Sequence, residues 1–140
     1  MANFSEFIDL PYKNLGRDFD GVDCYGIVHL IYKTVKNITL PDFTELKYGI
    51  DWYKKGEDHI LDNVGAMNKK YFDIVEFPYK PFDLLLFKVT NNIVNHCGMY
   101  VGDMCFIHIL ENRTSMISRL DDRVWERKFY LAARYKKVLS

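Results

Sequence analysis

The sequence has no net charge: 19 basic and 19 acidic residues cancel along 140 positions. No run of lysine or arginine breaks that balance, so the electrostatic footprint of a nucleic-acid binder is missing. Nor does it give the chain any pull toward an anionic membrane surface. Cysteine is scarce. Cys24, Cys97 and Cys105 are odd in number, and their spacing suits neither a disulfide framework nor a zinc finger. Free thiols, made in a reducing compartment, are the expectation. Long apolar runs are absent, so no segment is long enough to span a bilayer. Residues 1–15, interrupted by Glu6 and Asp9, do not read as a secretory signal. There is no repeat, low-complexity tract or linker, which leaves residues 1–140 as a single domain.

What is present is ample apolar material, 49% hydrophobic and 16% aromatic, enough for a core that needs no disulfide or metal. Residues 4–10 read as a short helix or an extended arm before Pro11. From Val22 to Val35 the apolar positions Cys24, Ile27, Val28, Ile31 and Val35 recur at three- and four-residue steps, predicting an amphipathic helix capped by Asp20 or Asp23. Residues 43–55 and 57–64 read as weaker helical segments. The second half changes period. Phe82–Val89 is a continuous apolar run, expected to be a buried strand. Val94–Val101, Cys105–Leu110, Ser115–Leu120 and Phe129–Tyr135 follow as short strands. Helices first and sequential antiparallel strands afterwards imply an α+β fold, with a mostly antiparallel sheet of about five strands packed on the Cys24 helix.

Cys24 falls in the first turn of that helix. A thiol attacks only as thiolate, and a helix N-terminus or a nearby imidazolium favours that form. The plain alternative is a small buried hydrophobe, the commoner fate of a lone cysteine. Two histidines weigh against it. Alternation puts His96, Gly98 and Tyr100 on one strand face and Cys97, Met99 and Val101 on the other, while His108 shares a face with Phe106 and Leu110. An odd loop around Gly102-Asp103, or an equivalent bulge, would set His96 directly opposite His108. His96 would then be the base for Cys24, and His108 would fix its ring. This reading requires the sulfur to come within bonding reach of a sheet imidazole. His29 and His59 read as surface residues, and Cys97 and Cys105 as core thiols. A metal site is disfavoured, because neighbours His96 and Cys97 point to opposite faces and no Cys-x-x-Cys knuckle is present. No cofactor is implied.

Together these blocks resemble the NlpC-type cell-wall peptidases, papain-like cysteine enzymes of bacteria and their phages. The likeness lies in Gly21-Val22-Asp23-Cys24-Tyr25-Gly26-Ile27-Val28, in Lys80–Phe87, in His96–Asp103 and in Phe106-Ile107-His108, in the family's order. The resemblance implies Cys24 as nucleophile, His96 as base and His108 as third polar residue. It also implies an oxyanion and substrate role around Tyr12 and Asp23, although Tyr12 as a plain packing aromatic fits equally well. Where the family usually has paired glycine and Gly-Asp, this chain has Leu15-Gly16 and Phe82-Asp83. Tyr25 after the cysteine, Trp125 with Arg127, and the compact length resemble the phage-tail branch. The implied activity is cleavage of peptidoglycan stem peptides between D-glutamate, through its γ-carboxyl, and a diamino acid. The implied partners are that peptide and phage tail-tip proteins, with no nucleic acid and no membrane. The implied location is the virion, the protein being made in the cytoplasm and acting at the wall. The rivals are a non-catalytic tail-tip or assembly component with the same fold, and a thiol amidase or acyltransferase.

Overall fold

A computed structural model describes residues 3–40, 72–90 and 93–136. The weak helical segments expected at 43–55 and 57–64, and His59, lie outside these residues. The N-terminal arm makes a single tight turn over Ser5–Phe7 and is tied down by Ser115, whose hydroxyl donates to the Phe7 carbonyl and accepts from Leu10 N–H at 2.8 Å. A two-stranded ribbon, β1 (Arg17–Asp18) and β2 (Gly21–Val22), leads directly into helix α1 (Cys24–Ile31). A wider turn over Tyr32–Lys36 extends α1, and Asn37 closes it in the left-handed conformation that asparagine tolerates.

Among the described residues the remaining strands form a six-stranded antiparallel sheet, one strand more than expected even before the ribbon is counted. They are β3 (Phe72–Val75), β4 (Leu84–Thr90), β5 (Ile93–Gly102), β6 (Cys105–His108), β7 (Met116–Arg119) and β8 (Phe129–Tyr135). The order across the sheet is β3-β8-β4-β5-β6-β7. Strands β4 to β7 are the expected meander. β8 returns beside β4, after the short helix α2 (Arg123–Lys128) capped by Asp122, and β3 pairs outside it. β3 and α2 are too short to show a period, and the sequence reading missed both.

Both faces of the sheet are covered, which explains the unbroken run Leu84-Leu85-Leu86-Phe87. Leu84 and Leu86 face α1 together with Cys97, Met99 and Ile107, while Leu85 and Phe87 face the other side with Tyr100, Phe106 and Trp125. All four residues of the run are fully buried. Each such side chain contributes about 1.5–3 kcal/mol through removal from water. The helix is covered more completely than its amphipathic pattern suggests. Every residue from Tyr25 to Ile31 is buried, so His29, expected at the surface, is 5% exposed and packs beside the Tyr25 ring. Cys105 departs in the opposite sense: it is only half-buried and accepts from the Arg119 guanidinium.

Candidate active site around Cys24 and the paired histidines

Cys24 is the first residue of α1 and is half-buried. Its position is fixed by Asp23, the N-cap, whose Oδ1 accepts from Gly26 N–H at 2.7 Å. Oδ2 of the same carboxylate accepts from Leu15 N–H at 3.0 Å, and Arg17 Nη1 bonds Oδ1 at 2.8 Å. Asp23 is 2% exposed and braces the loop and the helix start. Arg17 also donates to the Gly16 carbonyl and lies over the Tyr25 ring at 5.3 Å. Gly26 allows this closeness, because a Cβ there would run into the Gly16 carbonyl oxygen. Tyr12 joins the same corner, its backbone bridged to Val22 and its ring packed against the α1 side of the core.

Leu15 and Phe82, standing where the resembled family has glycine, both hold positive φ, 63° and 79°. The backbone has kept a conformation that favours glycine and carries a bulky side chain in it, at a cost of about 1–2 kcal/mol per residue.

The histidines pair, and of the two expected routes the structure takes the bulge. The hairpin turns through two residues, Asp103 and Met104, both with positive φ, as a primed turn requires. A register shift between Tyr100 and Gly102 restores the parity that this even loop would have lost. Tyr100 opposes Phe106 and Met99 opposes Ile107, so His108 falls across from Gly98, and His96 lies on the diagonal instead of directly opposite. His96 Nε2 and His108 Nδ1 are 2.8 Å apart across the glycine. A Cβ at Gly98 would sit 3.1 Å from His108 Cβ and 2.9 Å from the Ile107 carbonyl oxygen. His108 Nε2 continues the chain to Ser118 Oγ at 2.8 Å, and Trp125 covers both rings at 5.6 and 4.8 Å. Burial holds both imidazoles neutral. It lowers His96 well below its ordinary value, helped by neighbouring His108, and brings His108 down to about 4.

α1 packs on the face of β5 that carries Cys97 and Met99, and the Cys24 thiol is hydrogen-bonded to the Cys97 thiol. His96 and His108 project to the other face, among Phe87, Phe106 and Trp125. Among the described residues no hydrogen bond links Cys24 to either ring. The expected thiol–imidazole contact is not among these bonds: along β5 neighbours His96 and Cys97 diverge, and the helix covers the side of Cys97. Arg17, Cys97, Ser118 and Trp125 take part in these arrangements without having been picked out as site residues. Ser118 alternates with Ile117 on β7, a signal visible only once β7 is registered on β6.

A model of the NlpC/P60 family matches residues 9–134, through the capped helix, the buried strand and both histidines. The chain belongs to the NlpC/P60 family. It is 29% identical over 123 residues to the tail tip assembly protein K of Escherichia phage lambda, a match covering 86% of this chain and 58% of that protein. It is 23% identical over 131 residues to a probable endopeptidase NlpC homolog of Haemophilus influenzae, covering 94% of this chain and 58% of the relative. The chain thus spans less than two thirds of the curated relatives it matches. An NlpC/P60 family protein from Bacillus cereus superposes with a TM-score of 0.61 at 26% identity, over 92% of this chain and 36% of that one. The papain-like α+β class follows from the family and from that superposition. Among the described residues no cluster of three or more metal-ligating side chains occurs, and no helix is long and apolar enough to cross a membrane.

Proposed function

We propose that residues 1–140 form one cysteine-peptidase domain carried by a phage tail, hydrolysing peptidoglycan stem peptides at the bond between the γ-carboxyl of D-glutamate and a diamino acid. The observation that carries the reading is a half-exposed thiol on the first residue of α1, inside a family match that runs through both chemical blocks. Cys24 passes its proton to His96 and attacks the carbonyl carbon, His96 hands that proton to the leaving amine with His108 behind it, and water takes the acyl group from sulfur and restores the thiol. Tyr12 and the Cys24 N–H are the candidate donors to the oxyanion, each worth about 10²–10³ in rate in comparable sites. This role requires the His96 ring, already paired with His108, to reach the Cys24 sulfur. Likeness to a lambda tail tip protein supports delivery by the virion and tail-tip proteins as partners, with action at the wall.

A second reading has its own observation. Thiol and imidazoles on opposite faces suit a tail-tip or assembly component that keeps the fold without the reaction. Digestion of purified sacculi by reduced protein separates the two. The peptidase reading expects soluble fragments cut after D-glutamate, none from Cys24→Ala, and loss of rapid alkylation of Cys24 in His96→Ala. Intact sacculi together with alkylation unaffected by His96→Ala would establish the assembly reading.

A further inference from the structure

We propose that Cys24 and Cys97 form a reversible disulfide that locks the thiol on α1, a modification site resting on the peptidase reading only for its effect on activity. The two cysteines lie 73 positions apart in sequence (97 minus 24), on α1 and β5, yet their thiols are in hydrogen-bond contact. They differ in access: Cys24 is half-buried and Cys97 fully buried. Cys105, the remaining cysteine, stands apart, on β6 against Arg119. Access and contact together assign an order of events. Cys24 thiolate attacks a small disulfide such as oxidised glutathione, forming a mixed disulfide and expelling one glutathione thiolate. Cys97 thiolate then attacks the Cys24 sulfur, closing the protein disulfide and expelling the second thiolate. Two protein thiols lose two protons and two electrons, and one molecule of oxidised glutathione becomes two of reduced glutathione.

The contact with Cys24 and burial raise the Cys97 thiol well above its ordinary range, so the second step should quicken as the solution becomes more alkaline. A thiol so held stays reduced where the protein is made and becomes oxidisable in a disulfide-forming compartment such as the bacterial periplasm. Oxidation there would remove the nucleophile, and a reductant would return it.

The test treats the intact chain with oxidised glutathione at pH 9 and counts thiols after denaturation. Three titratable thiols are expected to fall to one, with a mass loss of about two hydrogens and a Cys24–Cys97 peptide in a non-reducing digest. Cys97→Ala should instead keep one glutathione on Cys24, and Cys105→Ala should still form the bridge. A lasting glutathione adduct on the unsubstituted protein with Cys97 free, or three thiols remaining, overturns the proposal. Sacculus digestion is read in parallel. Activity lost on oxidation and regained with dithiothreitol supports the lock on the peptidase. Reduced protein that never digests sacculi defeats the peptidase reading alone, and the thiol count still decides the disulfide.

Discussion

Replacing Asp23 by alanine tests how the helix start is held. The carboxylate is 2% exposed and performs three tasks at once. It caps Gly26 N–H at 2.7 Å, takes Leu15 N–H at 3.0 Å and pairs with Arg17 at 2.8 Å. A lost cap costs about 1 kcal/mol. A buried amide left without its acceptor costs about 1–3 kcal/mol. Breaking a buried ion pair from one side costs about 3–5 kcal/mol, because the other charge stays behind. Arg17 is 12% exposed and keeps its bond to the Gly16 carbonyl, which softens that last penalty. These costs share one network and do not add, so the expected total is about 3–5 kcal/mol. For a domain of this size that lowers Tm by roughly 10–15 °C. Urea unfolding followed by circular dichroism measures it. Asp23→Asn, which keeps an acceptor for Gly26 N–H, should lose less. Adding Arg17→Met to Asp23→Ala should recover about 1–2 kcal/mol by removing the stranded charge. A loss under about 1 kcal/mol for Asp23→Ala, or further destabilisation by the second change, refutes the idea that this carboxylate braces the site.

The remaining predictions concern the histidine chain, the arm and the close-packed glycines. Because folding lowers the His108 value from 6.5 to about 4, acid protonates the unfolded chain first; stability is fully present above about pH 6.5 and falls toward pH 4. His108 alone accounts for about 3 kcal/mol of that loss, and His108→Gln should flatten the corresponding part of the stability–pH curve in urea titrations. Ser115→Ala strands Leu10 N–H and the Phe7 carbonyl and should cost about 2–3 kcal/mol, with faster amide hydrogen exchange in residues 5–10. Gly26→Ala forces α1 away from the Gly16 loop, and about 1–3 kcal/mol of destabilisation is expected in the same unfolding assay. Unchanged stability would mean that the loop yields without resistance.

Much of this protein is readable from local pattern. Three- and four-residue spacing marks the Cys24 helix, and its first turn and cap need no partner element to be found. Phe129–Tyr135 forms the strand expected there, and Leu84–Phe87 is buried on both faces as an unbroken apolar run implies. Even the departures at Leu15 and Phe82 carried information, since both residues hold the left-handed backbone that favours glycine. Short elements escaped: β3 and α2 span too few residues to show a period, and β3 exists because β8 offers it an edge.

The sequence by itself determined the two strand faces, with His96 on one and Cys97 on the other, because side chains alternate along any extended backbone. It also determined the pairing of His96 with His108 to within a parity, which the shift at Val101 restored. Only the tertiary structure decided which face α1 covers. That choice depends on the volumes and apolar area of both sides taken together, on Met99, Ile107 and Leu86 against Phe87, Phe106 and Trp125. No local period encodes such a sum. Here the sum puts the Cys97 thiol beside Cys24.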